Sequence, residues 1–99
     1  MAQVLVIDDE EDMAKMLSKM AKEMGHECDC AGSLGTGMAK AVAGAYDVVL
    51  LDVHLPDGNG LQILPELLRT PSSPEVIIMT GFGDPDGAEV AIENGAWDY

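Results

Sequence analysis

The 99-residue chain carries 18 acidic and 5 basic residues, a formal net charge of −13 at pH 7. Such a surface repels phosphate backbones and anionic lipid, so we expect no direct binding to nucleic acid or to a membrane. A hydrophobic content of 47% argues against disorder, and the length has room for one domain with one modest core. No stretch approaches the roughly 20 apolar residues of a membrane helix. Because the opening Met1-Ala2-Gln3 has no basic n-region, we expect a cytoplasmic location.

The first half of the chain alternates predicted strands and helices. Residues 4–7 form a short β-rich run that is typical of a buried parallel strand. A first helix is predicted next, and Gly25 ends it. Its apolar positions at helical spacing are Met13, Met16, Leu17, Met20 and Met24. We interpret this methionine stripe as a core face against the sheet rather than as a promiscuous binding groove. Residues 26–31 are the second predicted strand, and Ser33 is the predicted N-cap of a second helix through about residue 43.

The second half continues the alternation. Residues 47–52 are continuous in Val and Leu, as expected of a central strand covered on both faces. A turn over residues 54–60 precedes a third helix over residues 60–69, which has Pro65 near its first turn. The inward positions of this helix are Leu61, Leu64 and Leu68. Residues 75–80 are the fourth strand, and a fourth helix from Asp84-Pro85 to Gly95 leads into a fifth strand at residues 96–99. Unbroken alternation of this kind predicts an α/β fold with parallel strands and right-handed crossovers.

Cys28 and Cys30 lie on the same side of the second predicted strand as His26. A zinc site needs about four ligands, and the sequence contains no second cluster of Cys or His. We therefore interpret both cysteines as small buried hydrophobic residues, without a metal or disulfide role.

Three of the apolar runs end in reactive side chains. Asp8 and Asp9 follow the first strand, Asp52 ends the third and Thr80 ends the fourth. In open α/β sheets ligands bind beyond the carboxyl ends of the strands, so these side chains are expected to share one rim. Carboxylates packed together repel each other unless a cation relieves the charge. The pattern therefore predicts a site for a divalent metal.

The whole length of the chain closely resembles one family, the receiver domain of two-component response regulators. The matching features, in order, are the Asp8-Asp9 pair, Asp52, the Leu-Pro-Asp-Gly-Asn-Gly loop of residues 55–60, Thr80, and Gly-Ala-Trp-Asp-Tyr at residues 95–99. The resemblance implies a flavodoxin-like, doubly wound parallel sheet with the strand order 2-1-3-4-5.

The resemblance also implies the chemistry of the site. Asp52 would take a phosphoryl group from a phosphohistidine on a sensor histidine kinase, with its carboxylate as the nucleophile. Mg²⁺ would be held directly by Asp9, Asp52 and the backbone carbonyl of His54, and by Asp8 mostly through a bound water. The domain would then be no enzyme beyond Mg-dependent self-phosphorylation and slow autodephosphorylation.

A conformational switch is the second implication of the resemblance. Thr80 would turn toward the phosphoryl group, and Tyr99 would move inward to fill the vacated space. The fourth helix and fifth strand would change shape, and an output domain or a partner, including a second copy of the chain, would read that change. The ending at residues 95–99 is similar to receivers attached to transcription activators with an ATPase module, so we expect a role in transcription.

Alternatives stay open at the level of sequence. A strand-end Asp can cap a helix, Thr80 can be an ordinary β-branched strand residue, and Tyr99 can serve packing alone. A pseudo-receiver would bind partners without phosphorylation, although the acidic trio is whole here. A metal-dependent phosphohydrolase would carry a second acid two residues after its nucleophile, where this chain has His54. His54 either positions or blocks a hydrolytic water, or contributes only its carbonyl.

The end of the sequence departs from the family pattern. Receivers place a lysine about three residues beyond the aromatic that matches Tyr99, and the sequence stops before it. We therefore expect an incomplete receiver domain over residues 1–99, a piece of a longer protein that lacks the end of the fifth strand and the fifth helix. From this we expect an uncovered apolar face, marginal stability, self-association and poor phosphorylation.

Overall fold

The computed structural model describes residues 1–79, and the predicted fourth helix and fifth strand lie outside them. The strands are β1 Gln3–Ile7, β2 Glu27–Ala31, β3 Val48–Asp52, β4 His54–Leu55, β5 Gly58–Asn59 and β6 Glu75–Met79. The helices are α1 Glu11–Glu23, α2 Leu34–Ala43 and α3 Leu64–Leu68, with a 3₁₀ turn, Gly60–Ile63, before α3.

Four parallel strands form the sheet in the order β2-β1-β3-β6. Since β6 is the fourth strand of this sheet, the order agrees with the predicted 2-1-3-4 arrangement, and the doubly wound α/β fold is confirmed. Ile7 pairs with Leu51 across β1 and β3. This register brings the residues that follow β1 next to Asp52, the last residue of β3.

The two faces of the sheet are covered unequally. Buried side chains of the strands pack with residues of α2 and α3 on one face: Leu5, Ile7, Val49, Leu51, Val76 and Ile78. On the other face Val4 and Val6 are buried beside Ala14, whereas Val48 and Leu50 are only half-buried. Within residues 1–79 only α1 packs on this second face, so β3 is covered fully on one face and partly on the other.

The methionine stripe of α1 is also not the core face that we predicted. Met13, Met16, Met20 and Met24 are between 38% and 71% exposed. The residues of α1 that turn toward the sheet are Ala14, Leu17, Ser18 and Ala21, so Leu17 is the member of the predicted stripe that does pack there. The row of methionines and the row that faces the sheet are adjacent on the helix surface. Small side chains in the second row let the helix lie close to the strands. The methionines consequently lie on its flank.

The third helix begins later than predicted. Residues Gly60–Ile63 form a 3₁₀ turn, and the α-helical part covers only Leu64–Leu68 with Pro65 in its first turn. Proline has no N–H, so residue 65 cannot donate the α-type hydrogen bond that a helix starting at residue 60 would need. Leu64 is buried as predicted, Leu61 and Leu68 are half-buried, and the sequence analysis did not identify Ile63 and Leu67, which are also buried.

The predicted N-cap of α2 and the predicted end of α1 are confirmed. The Ser33 hydroxyl caps α2 by accepting a hydrogen bond from the Thr36 N–H at 3.2 Å, and Gly25 follows α1 with a φ of +88°. Cys28 and Cys30 are free thiols, and they are half-buried and not fully buried as predicted. His26 accepts a hydrogen bond from the Ala2 N–H through Nδ1 at 2.9 Å, which gives this side chain a structural role. No helix within residues 1–79 is long and apolar enough to cross a membrane.

Candidate functional site

Three carboxylates meet at the carboxyl end of the parallel sheet. Asp8 and Asp9 follow β1, and Asp52 ends β3; one ligand atom of each lies within 4.8 Å of the others. Their exposure differs, because Asp8 is buried, Asp52 is half-buried and Asp9 is exposed. Within residues 1–79 this is the one group of three or more side chains that is arranged to hold a metal ion. The structure thus brings together the three acids that the sequence predicts at one rim.

The environment of Asp52 disfavours its charged form. Burial raises the pKa of Asp52, and the negative charges of Asp8 and Asp9 raise it further. A hydrogen bond from the His54 N–H to Oδ1 at 3.3 Å opposes these effects. The uncompensated negative charge is the physical reason why the site suits a cation.

Asp8 has a structural contact in addition to its place in the cluster. Its Oδ1 accepts the Glu10 N–H at 2.9 Å, immediately before α1. Its own N–H donates to the Ala31 carbonyl at 2.9 Å, which extends the pairing of β1 with β2. This contact forms a turn ahead of α1 and does not cap the helix, because α1 starts after Glu10 without a side-chain capping hydrogen bond. One oxygen of Asp8 is nevertheless already engaged.

The segment of residues 53–60, here called the 53–60 loop, folds back onto the end of β3. The Gly60 N–H donates to the Val53 carbonyl at 2.7 Å, and β4 and β5 pair His54 with Asn59 and Leu55 with Gly58. Gly60 packs so tightly on the Asp52 backbone that a Cβ there would overlap the Asp52 carbonyl oxygen. Only glycine permits this close approach of the loop to the end of β3.

Asp57 makes a contact with the start of α2 that was not predicted from the sequence. Its Oδ1 accepts the Leu34 N–H at 2.8 Å and its Oδ2 accepts the Gly35 N–H at 3.0 Å. These hydrogen bonds lower the pKa of Asp57. The sequence separation of 23 and 22 residues hides the contact. The signal that could have indicated it is an acidic residue in a tight turn, a residue type that often binds the amides at a helix N-terminus.

The donor set fits a hard divalent cation. Carboxylate and carbonyl oxygens are the ligands that Mg²⁺ and Ca²⁺ prefer, and three carboxylates carry more negative charge than one such ion neutralises. Asp8 and Asp9 also line an open surface depression of about 280 Å³ that extends toward α1 and β2 and does not include Asp52. The predicted switch residues Thr80 and Tyr99 lie outside the described residues.

Removing the charge of Asp52 should stabilise the metal-free chain. Because folding raises the pKa of Asp52, its ionisation lowers the free energy of unfolding as the pH rises above the ordinary value of 3.8, and the full loss persists at pH 7. Asp52→Asn should therefore melt at a higher temperature at pH 7, by roughly 2 to 4 °C once solvent screening is allowed for.

The exposed Glu75 provides the control, since Glu75→Gln removes one negative charge away from the cluster. Thermal melts in a chelator at pH 7 and at pH 3 compare the variants. The gain of Asp52→Asn should disappear at the lower pH. An equal gain for Glu75→Gln would mean that net charge, and not the cluster, is responsible.

Known proteins match this chain over nearly its whole length. The sequence family described as "Response regulator receiver domain" matches residues 4–99. The regulatory protein AtoC of Escherichia coli K12 is 32% identical over 96 residues, which are 97% of this chain and 21% of that protein. The chain spans between 21% and 52% of the lengths of AtoC, ArlR and RegA, three curated relatives that it matches.

Solved structures agree in fold. A response regulator protein from Burkholderia pseudomallei, solved with a phosphorylated aspartic acid, a calcium ion and citrate, is 25% identical with a TM-score of 0.94, covering 100% of this chain and 58% of that one. A response regulator receiver domain protein from Clostridium thermocellum is 34% identical with a TM-score of 0.88, covering 100% of this chain and 80% of that one. With the family match over residues 4–99, the chain belongs to the response regulator receiver domains of two-component signal transduction.

Proposed function

We propose that this receiver domain is a phosphoacceptor in which Asp52 takes a phosphoryl group from a sensor histidine kinase in a Mg²⁺-dependent reaction. The observation that carries the proposal is the convergence of Asp8, Asp9 and Asp52 within 4.8 Å at the carboxyl end of the sheet. The Burkholderia protein, with its phosphorylated aspartic acid and calcium ion, supports the same chemistry in a relative.

In the proposed reaction, a carboxylate oxygen of Asp52 attacks the phosphorus of the phosphohistidine. The new P–O bond forms as the P–N bond breaks, and the electron pair of that bond leaves with the imidazole nitrogen, which is then protonated. The product on this chain is an acyl phosphate. The reaction requires the ionised form of Asp52. Interactions that lower the raised pKa of Asp52 therefore favour phosphoryl transfer.

Asp9, Asp52 and the His54 carbonyl would hold Mg²⁺ directly, and Asp8 would act mostly through a bound water. When bound, the cation supplies positive charge that offsets the carboxylates and the phosphoryl oxygens. The His54 N–H, 3.3 Å from Oδ1 of Asp52, orients that carboxylate. Nothing in this assignment requires a side-chain role for His54.

The proposed consequence is a change of the surface that partners contact. Thr80 would bind the phosphoryl group and Tyr99 would follow it inward, so that an output domain, a partner protein or a second copy of the chain recognises the phosphorylated state. We propose that the output is transcriptional and that the protein acts in the cytoplasm, where a sensor kinase presents its phosphohistidine. The domain itself turns over no substrate beyond its own phosphorylation and dephosphorylation.

Reaction with a small-molecule phosphoryl donor tests the proposal. The 99-residue chain, incubated with acetyl phosphate and Mg²⁺, should gain one phosphoryl group in a measurable fraction of molecules, labile to hydroxylamine, and should gain none in a chelator. Asp52→Asn should gain none under either condition. Intact-mass spectrometry gives the readout.

The alternatives predict different results in the same experiment. A pseudo-receiver folds but takes no label with Mg²⁺. A metal-dependent phosphohydrolase releases phosphate over many turnovers instead of retaining one group. Label that persists in Asp52→Asn would contradict the assignment of the nucleophile.

A further inference from the structure

We propose that Asp57 is a positioning residue for the metal site, because its carboxylate fastens the tip of the 53–60 loop to the first amides of α2 and thereby holds the His54 carbonyl in place. This inference rests on the proposed function, since it concerns the same cation. It assigns a specific task to a loop side chain that lies outside the acidic cluster.

Asp57 and the N-cap residue Ser33 bind different amides at the start of α2. Asp57 accepts the N–H groups of Leu34 and Gly35, and the Ser33 hydroxyl accepts that of Thr36. The next amide, Gly37, donates to the Ser33 carbonyl and begins the helical hydrogen-bond pattern. Each amide of the first turn therefore has its own acceptor. Loss of Asp57 leaves two donors without a protein acceptor, and Ser33 cannot replace it.

The paired strands of the 53–60 loop connect Asp57 to His54. Asp57 lies between the two short strands of the 53–60 loop, in which His54 pairs with Asn59 and Leu55 pairs with Gly58. At its base the loop is closed by the hydrogen bond from Gly60 to Val53. Because the strand pairing makes the loop one unit, a restraint at its tip is transmitted to the His54 backbone three residues away.

The tip also packs on the start of α2. Gly58 has a φ of +145°, and a Cβ there would lie 3.0 Å from Cδ1 of Leu34 and 2.8 Å from Oε1 of Gln62. The positive φ favours glycine at this position, whereas the two neighbouring atoms are ends of flexible side chains. The close approach brings Asp57 within reach of both amides, and the bidentate contact then fixes the orientation of the tip as well as its distance from α2.

The electrostatics of the contact agree with a positioning role. Asp57 places its charge at the positive end of the α2 dipole, where two N–H groups satisfy both carboxylate oxygens. The cation site, by contrast, is crowded with carboxylates. Because both oxygens of Asp57 accept an amide hydrogen, a side chain with one acceptor oxygen would restrain the loop less well.

Three variants test this inference: Asp57→Ala, Asp57→Asn and the control Ser33→Ala. Both positions cap the N-terminus of α2, but only Asp57 contacts it from the 53–60 loop. Calorimetry should show that Asp57→Ala weakens Mg²⁺ binding about tenfold, as loss of a group that orients a ligand typically does. Asp57→Asn keeps one acceptor oxygen and should fall between wild type and Asp57→Ala. Ser33→Ala should bind Mg²⁺ within about twofold of wild type.

A metal-free readout accompanies the titration. Amide hydrogen exchange in a chelator should be faster in the 53–60 loop of Asp57→Ala than in wild type, while the sheet keeps its protection. Ser33→Ala should leave exchange in that loop unchanged. Asp57→Asn allows the same comparison if Asp57→Ala fails to fold.

Each outcome decides the inference. Wild-type Mg²⁺ affinity and loop exchange in both Asp57 variants would overturn it and leave the proposed function intact. An equal loss of affinity in Ser33→Ala would also overturn it, because the effect would then come from the stability of α2. Absence of Mg²⁺ binding by the wild-type chain would instead contradict the proposed function, and this inference with it.

Discussion

Gly60→Ala is expected to lower the free energy of unfolding by about 3 kcal/mol, the upper part of the range for overpacked sites, and to abolish Mg²⁺ binding. The new methyl group would overlap the carbonyl oxygen of Asp52 and approach Cδ1 of Leu51 at 3.3 Å. Since the overlapped atom is backbone, no rotamer change relieves the contact. Relief requires the 53–60 loop to move away from β3, which displaces His54 from the cluster.

Gly32→Ala is the matched control for this substitution. Gly32 is exposed, and a Cβ built there meets no atom within 4 Å. Urea unfolding and calorimetric titration of both variants measure stability and Mg²⁺ affinity. If Gly60→Ala matched Gly32→Ala in both measurements, the close packing of the loop on Asp52 would have no role in the site.

Asp9→Ala should weaken Mg²⁺ binding roughly 100-fold, about 2.7 kcal/mol, because it removes the charged residue that we propose as a direct ligand. Asp8→Ala should weaken it about tenfold, because Asp8 is buried and already accepts the Glu10 N–H. Asp12→Ala removes an equal charge from an exposed position in the first turn of α1 and serves as the control. Isothermal titration calorimetry measures all three.

The relative size of these effects tests the proposed roles of Asp8 and Asp9. Equal affinity in wild type and Asp9→Ala would contradict a direct role for Asp9. A larger loss in Asp8→Ala than in Asp9→Ala would reverse the roles of the two residues. A loss in Asp12→Ala as large as that in Asp9→Ala would show that long-range charge, and not ligation, controls binding.

The sheet and the convergence of the three acids were predictable from sequence because both follow from short-range patterns. Buried parallel strands read as continuous apolar runs, and the residues that follow them lie at one edge whatever the details of packing. Asp8, Asp9 and Asp52 needed only the correct strand ends. The cap at Ser33 and the positive φ at Gly25 are likewise local properties of the chain.

The remaining features depend on how elements approach one another. The spacing of Met13, Met16, Met20 and Met24 identifies an apolar side of α1 but not which of two adjacent rows contacts the sheet. The row with Ala14 contacts it because small side chains allow close approach. Likewise, the contact of Asp57 with α2 joins residues more than 20 positions apart, and only the folded chain reveals it.

The measurement that tests the central claim most directly is the location of the phosphoryl group. After reaction with acetyl phosphate and Mg²⁺, borohydride reduction converts a phosphorylated aspartate to homoserine, which peptide mass spectrometry locates in the chain. We predict homoserine at position 52 and at no other aspartate, and none when Mg²⁺ is withheld. Modification at Asp8 or Asp9 with Asp52 intact, or stable label on a Ser, Thr or His, would contradict the claim that Asp52 is the phosphoacceptor.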